Sequence, residues 1–201
     1  MAKATGRGWE PQHSDYTEAI YAPYVALIGQ IALSWNSLHE RLAHLFWVIM
    51  GGGFMDQPIG VWNSQNFDRA RREMLRAATV AATPRELADH PKLIDDVTWL
   101  LARADDLEHK RNDAVHSPLY AASNILVHGI VPPVISDDML KNRRAMNLAG
   151  KNLMEEFAWC RDSIIVLCDF AVSVERALTA DGARWPDKPS LPTRLHQRTP
   201  P

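Results

Sequence analysis

The stretch KLIDDVTWLLARADDLEHKRNDAVHSP, residues 92–118, decides what kind of molecule this chain makes. Leu93, Val97, Leu100, Ala104 and Leu107 follow one another at spacings of 4, 3, 4 and 3, and Arg111 comes 4 residues later. That rhythm belongs to an α-helix with one apolar side, and it predicts a helix from about Lys92 to Val115. Pro118 ends it, because the residue before a proline avoids helical dihedrals. The last member of the stripe is a cation, so Arg111 stands where the pattern reserves a core position.

The same rhythm recurs on both sides of this stretch. A first long helix is expected from about residue 14 to Met50, with Ile31, Trp35, Leu38, Leu42, Leu45 and Ile49 as its stripe and Gly51-Gly52-Gly53 as its stop. Its flank also carries Ala32, Leu33, Ala43, Trp47 and Met50. A helix apolar on two sides is central or lies at a subunit interface, and a homodimer is the expectation. A second helix is predicted from Gln65 to Ala82, capped by Asn63 or Ser64. Phe67, Ala70, Met74, Ala77 and Ala81 form its inward stripe, with Arg69, Arg72 and Arg76 as a ridge on another side. Thr83-Pro84 opens a short helical turn to Ala88.

Residues 119–135 change character and predict a small β-hairpin or extended flap around Ser123-Asn124. Ser136 caps a last helical region, with a break near Gly150. From Leu153 the stripe is unbroken through Phe157, Cys160, Ile164, Leu167, Ala171, Val174 and Leu178, and Gly182 closes it. The expected fold is all-α: an up-and-down bundle of four to five helices over residues 14–182, with the flap after the third main helix. Residues 1–13 read as a flexible leader, and the Pro-rich residues 183–201 as a disordered or loosely draped tail.

Composition narrows the function classes. The 201 residues suffice for one domain with a real core, and a formal charge of −2 supplies no global attraction to nucleic acid, so any such binding needs a local patch. Cys160 and Cys168 lie eight residues apart on one predicted helix. The rise between them is about 12 Å, too far for a disulfide. Free thiols fit a reducing cytoplasm, and no run of 18 uncharged apolar residues offers a membrane span.

The chemistry-bearing constellation is Arg111-Asn112-Asp113-Ala114-Val115-His116. An arginine on an apolar stripe cannot shed its proton, so it needs an acid, carbonyls or an anionic ligand such as phosphate. Asn112 can orient a neighbour, and His116 can take and give protons near neutrality. Five residues along an ideal helix turn about 140° and rise roughly 7.5 Å. Arg111 and His116 therefore converge only if the helix unwinds at His116 or if a second copy faces the first. The alternative is a structural polar knot, with Glu40 one acid that could pair Arg111 across the bundle.

These six residues resemble the signature of the HEPN superfamily: an arginine and a histidine separated by four to six residues, with a polar residue after the arginine. A long first helix containing Trp35 and Glu40, the motif late in an inner helix, and a long closing helix are similar too. The resemblance implies a dimerising helical bundle, and in many members a metal-independent endoribonuclease that leaves a cyclic phosphate. It implies that His116 serves as acid–base catalyst on the ribose 2′-hydroxyl, that Arg111 holds the phosphate, and that Asn112 positions groups. Other members are catalytically inactive and bind nucleotides or protein partners, so the expected partners are a second copy, RNA or a nucleotide, and a protein such as an antitoxin.

The ridge Arg69, Arg72 and Arg76 could track an RNA backbone, or be a solvated helix face. No metal site or cofactor is expected. His39-Glu40 and His44 have three residues between Glu40 and His44, one more than a zinc HExxH helix. Asp106 and His109 lack the second inward pair that a carboxylate-bridged site needs.

Overall fold

The first helix is enclosed along its stripe: Ile31, Leu38, Leu42 and Leu45 are fully buried, and Trp35 nearly so. In the computed structural model, which describes residues 15–82, 88–117, 142–148 and 151–194, this helix is α1 (Asp15–Ile49). Five more follow: α2 (Asp56–Asn63), α3 (Asp68–Val80), α4 (Leu93–His116), α5 (Arg143–Leu148) and α6 (Leu153–Thr179). No strand occurs among the described residues, and the protein is all-α there. The predicted hairpin or flap at 119–131, the leader at 1–13, the turn beginning at Thr83 and the cap at Ser136 lie outside the described residues.

α1 packs most extensively along α6, and α4 packs on both. α3 bridges α1 and α4, α2 folds back on α1, and α5 sits against α4. The stripes of α4 and α6 are those the 4-3 spacing predicts. Val97, Leu100, Ala104, Ile164, Leu167, Ala171 and Val174 are all fully buried. Trp99 meets Phe170 edge-on, with ring centroids 5.3 Å apart, where α4 crosses α6.

The chain leaves α1 through Gly51 and Gly52, whose φ angles of 104° and 60° lie where a side chain is strained. The break near Gly150 falls between α5 and α6. There the Asn152 side chain accepts from the Glu155 backbone N–H and donates to its carboxylate at 2.9 Å, a reciprocal cap.

Four expectations need correction. α2 lies where the sequence suggested a connection, and α3 begins at Asp68 rather than Gln65, with Phe67 and not Asn63 or Ser64 at its N-cap position. The inward side of α3 is Arg72, Leu75 and Thr79, each two residues before Met74, Ala77 and Ala81 of the predicted stripe and so about 160° round the helix from it. Phe67 is 74% exposed as a result. Residues 183–194 of the tail are also not loose. Trp185 Nε1 donates to Asp96 Oδ2 at 2.6 Å, Lys188 pairs with Asp95 and Asp96, and Trp159 Nε1 donates to the Pro192 carbonyl at 2.8 Å. No described helix is long and apolar enough to cross a membrane.

Candidate functional site

The stripe of α4 holds through Leu107 and resumes at Ala114, which is 1% exposed. Between them Arg111 is half-buried at the rim of the core. Its Nη1 donates to Asn112 Oδ1 at 2.8 Å, a neutral partner, and it joins no ion pair among the described residues. Its Nε is enclosed and has no partner among the described residues. Glu40, the acid considered for it, is exposed on α1 and forms no ion pair with it among the described contacts.

His116 is exposed and is the last residue of α4. The Ser117 N–H still donates to the Asp113 carbonyl at 3.2 Å, and Ser117 itself is extended at φ −80°, ψ 133°, as a pre-proline residue should be. The helix thus stays wound through His116. Arg111 and His116 diverge by about 140° and 7.5 Å along the axis, so within one chain they do not meet.

Asp113, inside the same motif, is 4% exposed and accepts from Asn147 Nδ2 at 3.0 Å. It ties α5 to α4. The 4-3 pattern gives no sign of its burial, because two residues after Arg111 it lies about 160° round the helix from the stripe.

The arginine ridge of α3 is not a ridge. Arg69 is exposed, but Arg72 is wholly buried and Arg76 is held by Glu73 and, at 3.2 Å, by Asp105. Arg72 cannot reach an RNA phosphate from this position. Its Nε donates to Asp105 Oδ1 at 2.7 Å, its Nη2 to Glu108 Oε2 at 2.5 Å, and its Nη1 lies 3.2 Å from His39 Nε2. The guanidinium carbon sits 5.7 Å from the Trp35 ring centroid.

His39 completes this knot. Its Nδ1 is 3.1 Å from the Trp35 carbonyl, which can only accept, so Nδ1 carries the proton and Nε2 is free to accept from Arg72. Burial pushes the His39 pKa down and outweighs the opposing pull of Asp68, so the ring is neutral. Asp68 receives the Trp35 indole N–H at 2.9 Å. Burial raises its pKa, but His39, that hydrogen bond and Arg71 together hold it below the usual value. A fully buried arginine held by acids is therefore present, at Arg72 and not at Arg111.

The remaining polar candidates are used locally. His44 lies 3.6 Å from Glu175, and Asp106 pairs with Arg103 at 3.1 Å. No group of three or more His, Cys, Asp or Glu side chains among the described residues could hold a metal ion. Burial pushes the Cys160 thiol up to about 12 and the Cys168 thiol up to about 11, which makes both poor nucleophiles. No protein-family model, curated protein or solved structure matches this chain.

Proposed function

We propose that this is an HEPN-like domain that acts on RNA as a cytoplasmic homodimer and cleaves it without metal. The observation that carries the reading is the state of Arg111: a half-buried guanidinium whose described partner is a neutral amide. A cation so placed favours an anion at the rim, and a scissile phosphate fits that need. Two further features support a second copy. The intact helix leaves Arg111 and His116 too divergent to serve one phosphate in a single chain, and Val25 and Leu33 of α1, with Met50 just past its end, remain 63%, 70% and 56% exposed. An up-and-down bundle arrangement belongs to the same reading.

In this reaction His116 takes the proton of the ribose 2′-hydroxyl. The 2′-oxygen bonds to phosphorus, the bond to the 5′-oxygen breaks, and the imidazolium returns its proton to the leaving oxygen. The products are a 2′,3′-cyclic phosphate and a 5′-hydroxyl. Arg111 neutralises charge on the phosphoryl oxygens, Asn112 fixes the guanidinium, and Arg69, the exposed arginine of α3, is left to contact flanking phosphate.

A second reading, a non-cleaving module that binds a nucleotide or a protein partner such as an antitoxin, is favoured by Asp113. That residue spends the centre of the motif on a structural tie to Asn147. The two readings separate on one experiment. Purified protein is incubated with RNA in excess chelator beside His116→Ala, whose far-ultraviolet circular dichroism must match wild type. Cleavage by wild type alone, with cyclic phosphate ends, is expected. Absence of cleavage, or equal cleavage by both proteins, overturns the nuclease reading.

A further inference from the structure

A groove of about 410 Å³ lies between α4, α6 and the extended segment that follows α6. Its lining includes three cations, Arg103, Lys110 and Arg194, against one acid, Asp106. In a chain of net charge −2, that is a local surplus of positive charge. Arg103 and Lys110 are seven residues apart on α4, two turns, so both stand on one side of the helix. Asp106 is taken up by Arg103 at 3.1 Å, and Lys110 joins no ion pair among the described residues.

The third cation comes from the segment that composition marked as a loose tail. The Arg194 guanidinium carbon lies 3.9 Å from the Trp159 ring centroid, and the Trp159 indole N–H holds the Pro192 carbonyl. Its nearest acid is Glu156, at a long 4.0 Å. Arg194 is thus fixed by an aromatic face on the wall of the groove, with only this long contact to an acid.

The groove also borders the motif. Its floor includes Leu107, which precedes Arg111 by one turn on the α4 stripe. The Cys160 thiol, buried on α6, feels the charges of Arg194, Glu156, Lys110 and Arg111, so these three cations and Glu156 share one neighbourhood. A volume of this order is nucleotide-sized.

We propose that this groove is a phosphate subsite, in which Lys110 and Arg194 hold the phosphates of the nucleotide next to the one gripped by Arg111. The inference rests on the RNA reading above and names where the strand continues. Arg103, half-occupied by Asp106, sets the far end of the path. The segment after α6 is then part of the binding surface.

The test is anisotropy titration of the full-length His116→Ala chain with a fluorescein-labelled RNA octamer at several salt concentrations. Lys110→Gln and Arg194→Gln are each expected to weaken binding at least about five-fold. Each should also lower the slope of log affinity against log salt by about 0.7, the value for one phosphate contact on a single strand. Arg184→Gln, an 89% exposed cation on the same segment outside the groove, is expected to bind as its parent. Competition by uridine monophosphate would mark a free nucleotide as sufficient occupant, and retention of the octamer against it would mark a strand; either supports the subsite. Unchanged affinity in both groove variants overturns the proposal, as does equal competition by an oligoglutamate, which would reveal only a positive surface. Weakened octamer binding with no cleavage by wild type would keep the subsite and discard the nuclease. Cleavage by wild type with unaltered groove variants would do the reverse.

Discussion

Neutralising both acids around Arg72 should cost more stability than removing Arg72 itself. The guanidinium is 0% exposed, whereas Asp105 and Glu108 are 40% and 28% exposed at their side chains. In Arg72→Met the two carboxylates turn back to water and an apolar chain of similar length fills the space. The expected loss is about 1–2 kcal/mol, since buried ion pairs replaced by well-packed apolar groups are often near neutral. In Asp105→Asn/Glu108→Gln the acceptors remain but the charge does not, and the arginine cannot shed its proton. Stranding a buried cation costs about 3–5 kcal/mol, and partial exposure of the acids brings the expectation to about 3 kcal/mol. Urea unfolding followed by circular dichroism measures both, with the midpoint shift converted through a common m-value. A loss below about 1 kcal/mol in the double variant, or a larger loss in Arg72→Met, would refute the claim that this cation is sealed from water.

The depressed His39 pKa gives the fold an acid weakness. The unfolded chain binds the proton near its ordinary value of 6.5 and the native state resists it, so this contribution is whole above 6.5 and falls as pH drops below it. Asp68, also depressed, contributes above 3.8 and loses that contribution as pH falls further, so urea midpoints should decline in two stages from pH 8 to pH 3. Trp185→Phe deletes the 2.6 Å indole bond to Asp96, which is 3% exposed, and should cost about 1.5–3 kcal/mol by the same unfolding assay. Cys160, buried and with its thiol pushed up to about 12, should react with a thiol reagent at pH 8 only on unfolding, whereas half-buried Cys168, pushed up to about 11, should react slowly in the native state; fast native reaction of both would contradict the burial of Cys160.

Long stripes were legible because a 4-3 repeat over five or more residues has one explanation, and α1, α4 and α6 are built on such repeats. The inward face of α3 differs from the predicted one because its short sequence DRARREMLRAATV supports two stripes two residues apart, on nearly opposite sides of the helix. The alanine-rich one looked apolar, yet the buried one begins with Arg72, whose counter-charges lie on α4, 33 and 36 residues away. No local pattern reports a partner at that distance. α2 was hidden by Pro58 and Gly60 within eight residues, although a proline in the first helical turn removes no internal hydrogen bond. The tail looked disordered by its prolines, and the signal to the contrary was Trp185 and Leu191, apolar groups that pack against the core. At the candidate site the residue types were plain in the sequence, but the neutral partner of Arg111 and the unbroken helix at His116 were not.

Mixing two inactive variants tests directly whether Arg111 of one copy meets His116 of another. Arg111→Ala and His116→Ala are each expected to be inactive on RNA in chelator. After co-refolding at equal ratio, half the dimers of a symmetric pair are mixed, and each mixed dimer carries one intact composite site. Activity should return to about a quarter of wild type by that statistics. Failure of the mixture to exceed either variant alone, in a preparation shown to contain mixed dimers, would contradict a site assembled from two chains.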